Sequence, residues 1–321
     1  IILLGHMVTI PTAMAVAEIA TNQKVQGGGA YFIISRSFGL NIGSAIGITL
    51  YLSQAISVAF YVIAFSEAFD PLIRFLHYEI NTPMIDKRWI GIFSMSILGA
   101  LILTRGANIG MKALYFVVAL LFTSLLFFFL GKPTDSEYVM EFNAHIRNPD
   151  SFFYVFTIIF PAFTGLVAGL GLSGDLRNPS RSIPRGTLLA TVCGFVVYIL
   201  VAYKLAASAS PQELASDQMI MEKISLWGPI IPIGLAAASL SSALGSIMVA
   251  PRTLQAIGLD DVFPGKKLNA WIAKGTQENN EPINSGLITI AIGFFFVAVG
   301  DIDFVAKIIS MFFMVTYGVI C

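Results

Sequence analysis

The sequence predicts an all-α polytopic membrane protein, and three observations support this class. The 321 residues are 56% hydrophobic and only 12% charged, whereas soluble domains carry about 25% charged residues. The mean hydropathy is +0.80. The apolar residues form continuous Leu-, Ile- and Phe-rich runs, which are typical of membrane helices and not of the alternating strands of membrane β-barrels.

The same composition excludes several other classes of protein. Nineteen Lys and Arg balance nineteen Asp and Glu, so the chain lacks the general basic field of a nucleic-acid binder. Its hydrophobicity excludes intrinsic disorder. The two cysteines, Cys193 and Cys321, lie in apolar runs and exclude a disulfide scaffold or a cysteine-based zinc site. Because no HExxH, GxSxG or P-loop motif occurs, we expect no enzyme activity.

Nine apolar runs approach the length of about 20 residues that a helix needs to cross the hydrocarbon core. They are 1–20, 40–69, 89–104, 112–131, 152–174, 187–208, 228–249, 284–300 and 303–320. Eleven of the nineteen Lys and Arg fall in one set of connections and six in the opposite set. By the positive-inside rule the first set is cytoplasmic, which places Ile1 outside and Cys321 inside.

Both ends of the sequence fall inside apolar runs, and there is no initiator methionine. No basic n-region with a small-residue cleavage site marks a signal peptide. We therefore expect this chain to be an interior piece of a longer polytopic protein.

The run 152–174 has the densest set of helix-breaking residues. Pro161 lacks an amide donor, and four glycines follow it in the same run. These are Gly165, Gly169, Gly171 and Gly174. A broken membrane helix exposes carbonyl oxygens to cations and amides to anions, so the run indicates an ion-binding break. Close helix packing through Gly165 and Gly169 is the alternative.

Other polar groups within the spans have weaker functional signals. Four serines cluster in one small-residue helix, where each hydroxyl by default bonds the carbonyl one turn back. They are Ser239, Ser241, Ser242 and Ser246. Tyr61 and Tyr317 suit either an ion site or an interfacial anchor. Four ionisable residues lie near predicted span ends, where their side chains reach water: Glu18, Glu67, Lys204 and Lys307.

Four segments together resemble the cation–chloride cotransporters of the amino acid–polyamine–organocation superfamily. VQGGGAYFIISRSFG resembles the link into the third span of that family, and FPAFTGLVAGLGLSGDLRNPSRSIPRGTLLA resembles its broken sixth span and the following loop. SLSSALGSIMVAPRTLQAIGLDDVFP resembles the eighth span, and SMFFMVTYGVIC resembles the tenth. The order and spacing also match, so the resemblance covers nearly the whole chain.

The resemblance implies a five-plus-five inverted-repeat, leucine-transporter-like fold in a single transport domain over 1–321. The nine helices become spans two to ten. Residues 1–131 are then the remainder of the first repeat and 152–321 the second repeat, while the first span and the C-terminal spans and domain lie outside the chain.

The resemblance also assigns residues to ions. Potassium is matched by Tyr61, Pro161 and Thr164. Chloride is matched by the backbone amides of Gly165, Leu166 and Val167 with the hydroxyl of Tyr317. Sodium is matched by Ala238, Ser241 and Ser242. The potassium–chloride members lack this serine pair, so its presence favours sodium coupling.

The implied function is secondary active transport of chloride with sodium, potassium or both. No cofactor is expected beyond the transported Na⁺, K⁺ and Cl⁻. The expected partners are the lipid bilayer and inorganic ions, with no nucleic acid, and a homodimer would form through parts outside this chain. The alternatives are a sodium- or proton-coupled amino acid or polyamine permease on the same fold, and a non-transporting subunit or a channel.

The chain departs from the family pattern in three places. Glu18 stands where eukaryotic members have small polar residues, and it favours an amino acid permease. The broken span reads AGLGLSGDL in place of AGANISGDL. The outer loops 132–151 and 209–227 are short and carry no Asn-x-Ser/Thr sequon. We therefore expect a prokaryotic-type member in the cell membrane, that is, the inner membrane of a prokaryote.

Overall fold

The computed structural model describes residues 1–22, 29–105, 110–135, 149–166, 178–276 and 280–320. Within these ranges the regular structure is entirely helical, as predicted. The helices are α1 (Ile2–Asn22), α2 (Ala30–Phe38), α3 (Leu40–Glu67), α4 (Asp70–Ile80), α5 (Lys87–Arg105), α6 (Gly110–Phe129), α7 (Phe152–Ile159), α8 (Pro179–Ala206), α9 (Pro211–Ser216), α10 (Ile220–Ile224), α11 (Ile230–Leu259), α12 (Lys266–Ala273), α13 (Ile283–Val299) and α14 (Ile302–Ile320). A 3₁₀ turn, Phe160–Phe163, directly follows α7.

Every predicted span contains a helix. Five helical segments in the described ranges are long and apolar enough to cross a membrane: Ile2–Thr21, Leu40–Ile80, Ser180–Ala206, Ile230–Leu259 and Ile302–Ile320. Three further apolar helices are shorter: Tyr115–Phe129, Phe152–Phe163 and Ile283–Val299. The architecture is that of an all-α polytopic membrane protein.

Two helices extend beyond the spans predicted from hydropathy. Helix α8 begins at Pro179 and not at 187, because proline fits the first turn of a helix, where no intrahelical amide bond is lost. Helix α11 continues past 249 to Leu259 and includes Pro251. Its polar residues Thr253 and Gln255 are buried and hydrogen-bonded, so this turn is held by interior contacts that a hydropathy run does not detect.

Helices α3 and α11 pack side by side at the centre. Helices α5 and α13 pack against them, and α14 packs against α3. Leu50, Ile247, Ile309 and Tyr317 are fully buried in the resulting apolar core. Burial of each large side chain stabilises the fold by about 1.5–3 kcal/mol, although membrane lipid reduces this gain because its tails are equally apolar.

Helix α1 forms a second packing unit with α8, and α1 also touches the 3₁₀ turn after α7. The closest approach lies at Gly5, where a Cβ atom would overlap the ring of Phe163. A residue larger than glycine here would push the turn away from α1. The chain therefore separates into a central group, α3, α5, α11 and α13, and a group containing α1, α8 and the turn.

Helix α2 is tied to the end of α11 by one carboxylate. Asp260 accepts a hydrogen bond from the Tyr31 hydroxyl at 2.8 Å and from the Arg36 guanidinium at 2.9 Å. Burial and the hydrogen bond to Asp260 raise the pKa of the Tyr31 phenol. The phenol therefore stays protonated and remains a donor at physiological pH.

Candidate functional site

The polypeptide breaks its helix where Pro161 and the glycines predict. Helix α7 ends at Ile159, and the 3₁₀ turn carries the chain to Phe163. Thr164 is extended, and Gly165 has a φ of +111°. A Cβ on Gly165 would meet no atom within 4 Å. Glycine is therefore required by the backbone conformation and not by lack of space. Gly169, Gly171 and Gly174 lie outside the described residues.

Side chains from neighbouring helices satisfy the carbonyls that the break frees. Tyr198 of α8 donates to the Ala162 carbonyl at 2.5 Å, and Ser310 of α14 donates to the Thr157 carbonyl at 2.5 Å. Such partners matter in lipid, where an unsatisfied backbone group costs several kcal/mol. Sequence reasoning missed both residues; a hydroxyl in an otherwise apolar run is the signal that they offer.

Gly165, which lies in the non-helical part of the break, meets Tyr317 of α14. The Gly165 amide donates to the Tyr317 hydroxyl at 3.2 Å. Tyr317 is fully buried and is flanked by the rings of Phe160 and Phe313. Thus two members of the expected chloride set lie together. Leu166 follows directly in the chain, and Val167 lies outside the described residues.

A cavity of about 210 Å³ opens beside the break. A water molecule needs about 10–15 Å³ of such volume, so the cavity has room for several waters or ions. Its walls include four residues that the resemblance assigns to ions: Tyr61, Thr164, Gly165 and Ser242. Gln54, Ser57 and Ser246 also line it and were not assigned to any ion, and Gly245, Val249 and Phe313 complete the walls.

The expected potassium residues lie close to one another at the break. The Thr164 hydroxyl donates to the Pro161 carbonyl at 2.6 Å, which holds two oxygen atoms side by side. Tyr61 of α3 lines the same cavity as Thr164. The arrangement provides two hydroxyls and one carbonyl, and oxygen atoms of this kind can replace the water shell of a cation.

The expected sodium residues are only partly brought to the cavity. Ser242 lines it, while Ala238 and Ser241 do not belong to its walls. Adjacent residues of a helix point in different directions, which accounts for the split between the two serines. In the described part of the chain, neither serine forms a side-chain hydrogen bond, in contrast to the default bond to the carbonyl one turn back. That default holds for Ser57, which bonds the Ser53 carbonyl at 2.6 Å.

The ionisable residues near span ends have structural roles. Lys87 pairs with Glu67 at 2.6 Å. Lys204 donates to the Gly131 carbonyl at 2.8 Å and so caps the end of α6. The Lys307 ammonium lies 4.1 Å from the ring centre of Tyr154. Glu18 is exposed near the end of α1. None of these four side chains lines the cavity.

The chain is similar to known membrane proteins along its whole length. Residues 1–321 match the amino acid permease family model. The chain is 33% identical to solute carrier family 12 member 1 of Mus musculus over 372 residues, which covers 100% of this chain and 34% of that protein. Human solute carrier family 12 member 2 is 32% identical and is covered over 30% of its length.

The Squalus acanthias member 2 protein is also 32% identical, over 98% of this chain and 30% of its own length. The chain thus spans about a third of the length of these curated relatives. The resemblance to the cation–chloride cotransporters drawn from four segments is confirmed, because these relatives are members of that group. The chain belongs to the amino acid permease family of multi-pass membrane transporters.

Proposed function

We propose that this chain forms the ion-binding part of a secondary transporter that moves chloride together with sodium, potassium or both. One observation carries the proposal: the broken helix brings Thr164 and Gly165 to the wall of one cavity, with the Thr164 hydroxyl bonded to the Pro161 carbonyl and the Gly165 amide bonded to the Tyr317 hydroxyl. Amide donors suit an anion, and oxygen acceptors suit a cation. A single break therefore serves ions of both signs.

The anion subsite consists of the Gly165 amide and the Tyr317 hydroxyl, with the amides of Leu166 and Val167 following. The hydroxyl–amide distance of 3.2 Å supports this subsite, because a chloride that displaces the bond between the two groups accepts a hydrogen bond from each. Burial of Tyr317 strengthens such an interaction by keeping bulk water away.

The cation subsites lie across the cavity. Tyr61, Pro161 and Thr164 supply oxygen ligands for potassium. Sodium is bound by Ala238, Ser241 and Ser242, and the cavity-lining hydroxyl of Ser242 supports this assignment. Hard cations such as sodium take oxygen ligands of this kind.

Alternating access arises from motion between the two packing groups. The central group, α3, α5, α11 and α13, acts as a scaffold, and the group with α1, α8 and the break moves against it. The cavity is lined by α3 and α11 on one side and by the break on the other. Ions bound to both sides favour the closed arrangement. The site of action is the cell membrane, in a prokaryotic-type cell.

A matched pair of tyrosine variants tests the potassium subsite. In the full-length protein in liposomes, Y61F should raise the half-saturating rubidium concentration by at least about tenfold, because a bond to a charged group contributes about 1.5–3 kcal/mol. The half-saturating chloride concentration should change less. Y51F is the control, because Tyr51 lies on the same helix but bonds Thr289 away from the cavity. Equal rubidium dependence in both variants would remove Tyr61 from the site.

The second candidate is a sodium- or proton-coupled amino acid or polyamine permease on the same fold. The match to the amino acid permease family model favours it, and a 210 Å³ cavity also admits a small organic substrate. This candidate predicts uptake that depends on an added amino acid or polyamine and not on chloride. Competition of unlabelled amino acids against rubidium uptake separates the two candidates.

A further inference from the structure

Gln54 is a buried amide on the cavity wall to which the proposed subsites give no role. It is 6% exposed and shares one face of α3 with Ser57 and Tyr61, at a helical spacing of three and then four residues. Seven residues of helix separate Gln54 from Tyr61 by about 10 Å. Gln54 therefore marks a position on the cavity wall about two turns from Tyr61, toward the Leu40 end of α3.

A bond from α11 fixes the orientation of the Gln54 amide. The Thr253 hydroxyl donates to Gln54 Oε1 at 2.8 Å, which is closer to it than the Val249 carbonyl one turn back, at 3.3 Å. Thr253 is 1% exposed and is not part of the cavity wall, so the acceptor end of the amide is turned away from the cavity. The Nε2 group bonds none of the described residues, and it is not enclosed by protein atoms. Its two N–H donors therefore reach the open space.

The surroundings of these donors select the charge of a ligand. None of the described residues that line the cavity is charged. The neighbouring Ser57 hydroxyl already donates to the Ser53 carbonyl, and Val249 supplies an apolar wall. Two N–H donors that bond none of the described residues suit an anion that has lost part of its water shell.

We propose that Gln54 is an anion-contacting residue that binds chloride between the Gly165–Tyr317 subsite and the Leu40 end of the cavity. The Thr253 hydroxyl is its positioning partner. This inference rests on the proposed function, because it assumes that chloride is the transported anion. It adds a second anion position about two turns of α3 from Tyr61.

Variants of Gln54 and Thr253 in the full-length protein test the inference. Rubidium uptake into liposomes is measured while chloride is varied at fixed rubidium, and then while rubidium is varied at fixed chloride. Q54L removes the donors at similar size, and T253V frees the amide without touching it. We expect Q54L to raise the half-saturating chloride concentration about tenfold and T253V about threefold. The half-saturating rubidium concentration should stay within about twofold of the wild-type value, because only the anion site loses a bond.

The control is Q212L, which removes an exposed amide on α9 far from the cavity wall and should leave both concentrations unchanged. A monodisperse elution profile confirms that each variant folds. Wild-type chloride dependence in both Q54L and T253V, or an equal rise for rubidium and chloride, would overturn the role of Gln54. If the proposed function is wrong, the wild-type protein will take up rubidium whether or not chloride is present. This result differs from the one that would overturn the role of Gln54, which concerns only the variants.

Discussion

Substitution of Gly165 by alanine tests the backbone geometry of the break. At a φ of +111°, an L side chain is strained, and such residues cost about 1–3 kcal/mol each. No atom lies within 4 Å of the added Cβ, so no steric clash adds to this cost. The variant G165A should therefore lose about 1–3 kcal/mol of stability from conformational strain alone.

The matched control is G194A in α8. Gly194 also has no atom within 4 Å of an added Cβ, but its φ does not lie in the left-handed region. Alanine is favoured over glycine in a helix interior by about 1 kcal/mol. The two glycine-to-alanine changes should therefore shift stability in opposite directions, although each adds one methyl group.

The assay is a thermal melt of purified protein in detergent, followed by the loss of the monodisperse elution peak. Melting temperatures change by about 2–4 °C per kcal/mol in chains of 150–250 residues. G165A should melt a few degrees lower than wild type and G194A should melt at the same temperature or slightly higher. If G165A melts at or above the wild-type temperature, the positive φ at this position is refuted.

Two further predictions concern the serine cluster and the support of the break. S242A should raise the half-saturating sodium concentration for uptake. S96A is the control and should leave this concentration unchanged, because Ser96 bonds the carbonyl one turn back on an exposed face. Equal effects of the two variants would contradict a sodium ligand at Ser242. Y198F should lower stability because it leaves the Ala162 carbonyl without its donor. The expected loss is about 0.6–1.7 kcal/mol, the range measured for hydrogen bonds between membrane helices. An unchanged melting temperature would show that this carbonyl has another partner.

The class of fold and the place of the break could be predicted from the sequence because their causes are local. Apolar runs specify membrane helices through composition alone. Proline and glycine have the same backbone preferences wherever they occur, so Pro161 and Gly165 indicate the break from the sequence itself. The start of α8 was not predicted, because the hydropathy run begins at 187, whereas Pro179 and the polar turn after it are helical although they are not apolar.

The residues that sequence reasoning missed depend on distant contacts. Tyr198 lies 36 residues from the carbonyl that it satisfies, and Gln54 lies 199 residues from Thr253. Their roles arise only when α8 meets the break and α3 meets α11. The split between Ser241 and Ser242 has the same origin, because the orientation of α11 decides which hydroxyl faces the cavity.

Replacement of chloride tests whether the protein couples cation transport to this anion. Rubidium and sodium tracer uptake by the full-length protein in liposomes is measured with chloride present and again with gluconate in its place. We expect electroneutral cation uptake that requires chloride. Uptake that is indifferent to chloride but driven by added amino acids would contradict the cotransporter function and favour the permease.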